Sequence, residues 1–164
     1  MKKFIFLAGI AVLFFATSCL NGGGSPGSSS STYYGKLTVV DTDKNEVSYT
    51  NNEAAVSIWI PNITEPKFDF IFHGMKFDDA MPVKLNIEVS SVPFTTTISE
   101  DQTSTSINYV FEMSNIVPTA GGVAYEKYTI GTFKGYVGKE VEITFTMPSK
   151  GKTAHFKTNY KITE

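Results

Sequence analysis

Apolar and polar residues alternate along most of this chain, and this alternation limits the fold more than any other feature. Side chains on a β-strand point to opposite faces in turn, so a period of two is typical of a strand with one buried face. The chain from Tyr33 onward follows this period and shows no convincing helical period. The predicted inward-facing sets are Leu37 and Val39; Val56, Ile58 and Ile60; Phe68, Phe70 and Phe72; Val83, Leu85, Ile87 and Val89; Ile107, Tyr109, Phe111 and Met113; Val141, Ile143, Phe145 and Met147; and Phe156, Thr158, Tyr160 and Ile162.

Turn-forming residues separate these segments and set the fold class. We predict further strands at 94–98 and 125–133, a polar loop at 99–106, a tight connection at Gly135 and Gly138, and turns at 41–46 and 148–152. About eight to ten short strands with such turns are typical of an all-β sandwich or barrel. Because successive strands are joined by hairpin-like turns, we favour an antiparallel up-and-down barrel, with a β-sandwich as the alternative.

The N-terminal stretch has the parts of a secretory signal peptide. Lys2 and Lys3 precede an apolar run from Phe4 to Ala16, and small residues follow it. The run spans about 13 residues, fewer than the roughly 20 that a membrane-spanning helix needs. We therefore expect residues 1–18 to be a cleaved signal rather than an anchor helix.

Cys19 is the residue whose role the sequence indicates most directly. The tetrad Ala16-Thr17-Ser18-Cys19 resembles the lipobox of bacterial lipoproteins. That resemblance implies cleavage before Cys19 and lipidation of its sulfur. Cys19 is the only cysteine, so no disulfide competes for it. The alternative is an ordinary secretory signal in which Cys19 has no special role.

A Gly- and Ser-rich segment follows Cys19 and has the composition of a flexible tether. We expect residues 19–32 to be the lipidated cysteine and its tether, and residues 33–164 to be one all-β domain. The lipid would make the membrane a partner of the chain. Leu20 stands where an inner-membrane retention signal usually has Asp, which points to the outer membrane; both its periplasmic and its surface leaflet stay open.

Composition argues against nucleic acid as a partner. The formal charge is −2 and becomes −4 when Lys2 and Lys3 are removed with the signal, and the chain contains no arginine. Arginine is the preferred bidentate reader of phosphate and guanine, and a negative chain is repelled by phosphates. We expect no nucleic-acid binding.

No arrangement of residues predicts catalysis, a metal site or a cofactor. The Asp41-x-Asp43-x-Asn45 spacing opens like a calcium loop, but Glu46 and Asn52 stand where the loop needs glycine and glutamate, so we interpret it as a turn. His155 is predicted to be exposed. His73, followed by two aspartates, is a weak candidate for acid–base work or a metal. We predict a protein that is not an enzyme.

The chain as a whole resembles the calycin-like, lipocalin-like β-barrel lipoproteins of Gram-negative anaerobes. The features that carry this resemblance are the lipobox and tether, the opening strand Tyr34-Gly35-Lys36-Leu37-Thr38-Val39, and the hairpin Phe133-Lys-Gly135 with Val141-Glu-Ile143-Thr-Phe145. The resemblance would cover nearly all of residues 33–164. It implies a barrel architecture.

Aromatic residues are the candidates for ligand binding. A barrel of eight strands has an interior that side chains fill or that holds one small ligand. We therefore name Trp59, Phe70, Phe72, Tyr109 and Phe111 as candidate ligand-binding residues, with core packing as the alternative for the inward ones. Trp59 has the opposite parity from Ile58 and Ile60, so it is either packed against another layer or exposed as a stacking platform for a sugar ring.

Three hypotheses of function follow. The first is a cell-envelope lipoprotein whose barrel binds a small, largely apolar ligand. The second is a surface glycan-binding or adhesive lipoprotein, and the third is a structural partner in an envelope complex.

Overall fold

The computed structural model describes residues 29–62, 64–100 and 105–158, and these are almost entirely β-structure. The strands are β1 (Ser29–Asp41), β2 (Glu46–Ile60), β3 (Lys67–Met75), β4 (Leu85–Glu100), β5 (Thr105–Ile116), β6 (Thr119–Ala120), β7 (Val123–Ala124), β8 (Ile130–Val137), β9 (Val141–Met147) and β10 (Lys152–Thr158). Two short 3-10 helices cover Glu126–Tyr128 and Pro148–Lys150.

Eight of the ten strands form a closed barrel. The order around it is β3-β2-β1-β10-β9-β8-β5-β4, and β3 pairs with β4 to complete the ring. Every pairing is antiparallel, and β6 and β7 form a small hairpin attached to β4 outside the ring. The structure confirms the all-β, antiparallel up-and-down barrel rather than the sandwich.

The predicted inward faces are the faces that the barrel buries. Phe70, Phe72, Ile143, Phe145 and Phe156 are almost completely inaccessible to solvent. The residues directly before and after each of them in the sequence point outward, as the pleat of a strand requires. Burial of these side chains supplies the main favourable term for folding.

The β1–β2 hairpin confirms that the Asp41-x-Asp43-x-Asn45 segment forms a turn. One carboxylate oxygen of Asp41 accepts hydrogen bonds from the backbone N–H groups of Asp43 and Lys44, both at 3.2 Å. Asn45 has a positive φ of 54°, a conformation that asparagine tolerates better than most residues. The acidic residues here shape the turn.

One long strand, β4, replaces the two strands predicted at 83–89 and 94–98. Ser91 has a positive φ of 58°, and the register against β3 shifts between Phe68 and Phe70. This irregularity changes which positions face inward, so that Val89 and Val92 are both buried. Because the inward-facing positions change from odd to even along β4, its sequence pattern resembles two separate strands. Val83, predicted to be buried, is exposed and precedes β4.

The prediction of a strand at 125–133 is also wrong for the first half of that segment. Residues 126–128 form a 3-10 helix, and the rings of Tyr125 and Tyr128 stack at 5.1 Å. β8 begins only at Ile130 and runs through Gly135, so Gly135 is not part of a connection. Gly138 does lie in the β8–β9 turn, where its N–H donates to the Glu140 carbonyl at 3.0 Å.

The barrel has two ends, which are distinguished by the residues that lie there. We call the end where β1 begins the proximal end, and the end with Asp41 and Lys152 the distal end. β1 begins at Ser29, four residues before the predicted start at Tyr33, so residues 29–32 belong to the barrel. Cys19, the signal peptide and the rest of the tether lie outside the described residues, as do Tyr160 and Ile162.

Among the residues that the structure describes, no helix is long and apolar enough to cross a membrane.

Candidate functional site

The barrel interior is occupied by aromatic rings. Phe133 lies at its centre, with ring centroids 5.1 Å from Phe70 and 5.2 Å from Phe111. Phe72 packs against Phe145 at 5.2 Å. Phe70, Phe72 and Phe111, three of the predicted ligand-binding residues, are therefore brought together, but as parts of one packed cluster. Core packing, the alternative given above, accounts for these contacts.

Tyr109, another predicted ligand-binding residue, lies at the proximal end of the barrel. Its ring is 5.2 Å from Phe94 and 6.0 Å from Phe68. Burial raises the pKa of its phenol. The cavity beside it, which Tyr33 and Val137 also line, has a volume of about 20 Å³. That is room for about one water molecule, not for a small ligand.

The larger concave feature is on the outside of the barrel wall. A groove of about 650 Å³ runs across β4, β5, β8 and β9. We call it the outer groove. Pro93 and Val110 lie on its floor. Parts of Phe94 and Phe111, whose rings face the barrel interior, border it, so one predicted ligand-binding residue contributes to it.

The register of the strands places the side chains of the outer groove. Val110 lies opposite Tyr136 across β5 and β8, and Glu112 lies opposite Lys134. Gly135 stands between them; a Cβ at this position would clash with the carbonyl oxygen of Glu142 on β9. Glycine therefore allows β8 and β9 to approach more closely here than a side chain would permit.

Charged groups surround the apolar floor of the outer groove. Lys157 donates to Glu142 across a distance of 3.3 Å, and this contact raises the pKa of the Lys157 ammonium. The Tyr136 hydroxyl lies 3.5 Å from the same carboxylate, and burial, followed by the charge of Glu142, raises the pKa of its phenol. Lys134 forms no ion pair with any described residue. Its ammonium is available to a ligand.

Trp59 lies on the opposite side of the barrel and points outward. It is 42% exposed and stands on β2 between Ser30 of β1 and Asp69 of β3. The predicted stacking platform is therefore on the surface rather than against a second buried layer. Its position separates it from Phe70, Phe72, Tyr109 and Phe111, which face the interior.

His73 does not join the aspartates that follow it in the sequence. Its Nε2 lies 2.8 Å from the Ser57 hydroxyl, whereas Asp78 lies against Lys152 at the distal end. A serine beside an imidazole has the geometry of a nucleophile and its base. However, β2 is paired on both sides around Ser57, so the ladder engages the backbone N–H groups that an oxyanion would need. The pair is better suited to binding than to acyl transfer.

The remaining titratable groups are dispersed. His155 is exposed, as predicted, and its Nδ1 lies 3.0 Å from the Thr144 hydroxyl. Within residues 29–62, 64–100 and 105–158 there is no group of three or more histidine, cysteine, aspartate or glutamate side chains able to hold a metal ion. Cys19, the predicted lipidation site, lies outside these residues.

Apart from Phe111, the residues of the outer groove were not predicted from the sequence. The outward parity of Val110 was readable from the alternation of β5. What the alternation could not give is the register that places Val110 opposite Tyr136, because that depends on pairing between distant strands.

Comparison with protein-family models, with curated proteins and with solved structures finds no match to this chain.

Proposed function

We propose that this chain is a cell-envelope lipoprotein, anchored in the outer membrane by lipid on Cys19, whose barrel binds a small, largely apolar ligand in the outer groove. We propose a binding protein and not an enzyme. The two parts of the proposal rest on different residues and have separate tests.

The anchor is supported by the order of segments along the chain. A lysine-led apolar run, the tetrad ending in Cys19 and a Gly/Ser-rich segment precede the barrel. Cys19 lies ten residues before Ser29, the first residue of β1. An extended segment of this length spans at most about 35 Å, so a lipid on Cys19 would keep the proximal end close to the bilayer.

The outer groove is the observation that carries the binding proposal. Its volume of about 650 Å³ is comparable to that of sites for small ligands. Such sites combine an apolar surface with a few polar groups that orient the ligand. Pro93 and Val110 would contact an apolar body, and the ammonium of Lys134 would receive a polar or anionic end.

The groove also replaces the location first predicted for the ligand. Inside the barrel, the space near Phe70, Phe72 and Phe111 is filled by other rings. A ligand there would have to displace side chains that are packed to solid-like density, at a high cost in free energy. The outer groove needs no such displacement.

A matched pair of variants tests the groove. Anilinonaphthalene sulfonate, an apolar dye with one anionic group, serves as the probe for the full chain carrying Cys19→Ser, which needs no detergent. Val110→Asn places an amide on the floor of the groove and should weaken dye binding about tenfold. Ile98→Asn is the control, since Ile98 is more exposed than Val110 (64% against 38%) but lies outside the groove.

Equal dye binding by the two variants would show that the groove is not the site. Native mass spectrometry of the protein purified from its own envelope then tests whether a ligand is retained. The ligand should be absent from Val110→Asn and present in Ile98→Asn.

The anchor has an independent test. Cys19→Ser should release the protein in soluble form with an unchanged β-sheet circular dichroism spectrum, because the barrel begins at Ser29. If the variant remains with the membrane fraction, the lipobox interpretation is wrong, whatever the dye experiment shows.

A further inference from the structure

Two aromatic side chains are more exposed to solvent than any other among the described residues. Tyr34 is 68% exposed and Trp59 is 42% exposed, whereas every other described aromatic side chain is buried or half-buried. Both rings lie on the outer surface of β1, β2 and β3. We call this surface the aromatic face.

The register fixes the spacing of the two rings. Trp59 lies opposite Ser30, and Tyr34 follows Ser30 by four residues on β1. Four residues of a strand span about 13 Å. Tyr34 lies opposite Ala55, whose methyl group is too small to cover the ring. The rings thus stand at the two ends of a strip that crosses adjacent strands.

Hydrogen-bonding groups occupy the strip between the rings. The hydroxyls of Thr32 and Ser57 lie 2.8 Å apart, and Ser57 in turn lies 2.8 Å from Nε2 of His73. These three side chains are on three neighbouring strands. Each hydroxyl has one donor and two acceptor lone pairs, so both keep capacity for a ligand after these bonds are made.

The charged side chains near the strip lie at its borders. Thr32, Ala55 and Ser57 are uncharged, and the strip contains no lysine. Asp69, beside Trp59, accepts a hydrogen bond of 2.6 Å from the Ser91 backbone N–H. Glu88, beside Ile71, accepts one of 3.1 Å from the Thr119 hydroxyl. Both carboxylates border the strip, and Lys36 is exposed two residues beyond Tyr34. Between the rings the strip offers the hydroxyls of Thr32 and Ser57 and the imidazole of His73.

We propose that the aromatic face binds a neutral oligosaccharide. The face of an aromatic ring carries partial negative charge, and the C–H groups on the apolar face of a pyranose carry partial positive charge, so the two stack. The hydroxyl edge of the sugar matches Thr32, Ser57 and His73. A gap of about 13 Å between the rings suits a run of linked sugars and not a single planar molecule. This site is on the opposite side of the barrel from the outer groove and does not depend on it.

Trp59 provides a direct readout, because it is the only tryptophan in the chain. We would titrate the full-length protein, held in a detergent without a sugar headgroup, with cellohexaose, maltohexaose and mannohexaose, and follow tryptophan emission. At least one of these should give a saturable change. Tyr34→Ala should weaken that binding about tenfold, whereas Tyr34→Phe, which keeps the ring, should stay within about twofold of the parent.

Val110→Asn in the outer groove is the control and should leave the titration unchanged. The proposal is overturned if none of the three sugars changes the emission in a saturable way, or if Tyr34→Ala binds as tightly as the parent. It is also overturned if emission changes with protein concentration alone and sedimentation shows a dimer, because the aromatic face would then be occupied by a second copy.

Discussion

The inside and the outside of this barrel use aromatic rings in opposite ways. Inside, Phe133 touches Phe70, Phe111 and Phe145, and the rings fill the space between the walls. Outside, Tyr34 and Trp59 stand apart from each other and take part in none of the ring contacts among the described residues. The first set is shielded from solvent and the second set faces it.

The difference shows where a barrel of this size can bind a ligand. Eight strands enclose an interior just wide enough for side chains or for one small ligand. Because large rings from several strands occupy that interior, we place the proposed binding on the outer wall. The wall offers two unlike surfaces, a concave groove with charged groups around it and a flatter strip with hydroxyls between two rings.

The largest loss of stability that we expect comes from a substitution in the barrel interior. Phe133→Ala should lower the free energy of unfolding by about 3–5 kcal/mol, because a buried ring is lost and a cavity remains among Phe70, Phe111 and Phe145. Urea unfolding followed by circular dichroism measures this. Tyr34→Ala, on the exposed side, should change the free energy by no more than about 0.5 kcal/mol.

If Phe133→Ala proves too unstable to purify, Phe133→Leu gives a smaller, measurable loss of about 1 kcal/mol or more. A loss well below about 1 kcal/mol for Phe133→Ala itself would break the comparison, since the interior would then already contain the empty space that a ligand needs.

A smaller loss of stability is expected from a substitution in the barrel wall, which separates the interior from the outer surface. Gly135→Ala should lower the free energy of unfolding by about 1–3 kcal/mol, because its Cβ would clash with the backbone of β9. It should also weaken dye binding in the outer groove. Gly35→Ala is the matched control: its Cβ would clash with the backbone at Lys157, on another part of the wall.

Both glycine variants should lose stability, but only Gly135→Ala should lose dye binding. If Gly135→Ala unfolds at the same urea concentration as the parent, β8 and β9 do not approach each other as closely as described.

The smallest effect on stability that we expect concerns a partly buried charge contact at the distal end. Asp41 accepts from the Lys44 N–H and lies 3.2 Å from the Lys152 ammonium, and these contacts, in that order, lower the pKa of its carboxyl below the ordinary value of 3.8. A carboxyl with a lowered folded-state pKa adds stability that is present above its unfolded pKa and is lost as the pH falls through the folded value.

Asp41→Asn should therefore be less thermally stable than the parent at neutral pH, and the two melting temperatures should converge as the pH falls below about 4. Melting curves across this pH range test it. A gap that stays constant down to about pH 2 would mean that the carboxylate charge contributes nothing.

The sequence predicted what depends on local alternation. The inward-facing positions predicted for Phe68, Phe70 and Phe72, and for the alternate residues from Val141 to Met147, are correct. In an unbroken strand, successive side chains point to opposite faces. The prediction was wrong where alternation breaks, as at Ser91, and where residues 126–128 form a 3-10 helix beside the stacked rings of Tyr125 and Tyr128.

The candidate sites were less accessible to sequence reasoning. The alternation in β2 left two alternatives for Trp59, exposure or packing against another layer, and the structure shows exposure. The alignment of Trp59 with Tyr34 depends on how β1 pairs with β2. The outer groove needs two further pairings, β5 with β8 and β8 with β9. Register between strands is set by the whole fold, so it could not be taken from the residues of a single segment.

The pairing of β1 with β10 has a consequence for how the chain folds. Gly35 pairs with Thr158, which lies 123 residues later (158 − 35), so the ring closes through its longest-range strand pairing. Proteins dominated by such contacts fold slowly, typically in milliseconds to seconds. Until β10 is in place, β1 and β9 each present an open edge with unpaired backbone groups, which is where strands of separate molecules join. Pairing of β10 with both β1 and β9 therefore closes the two edges at once.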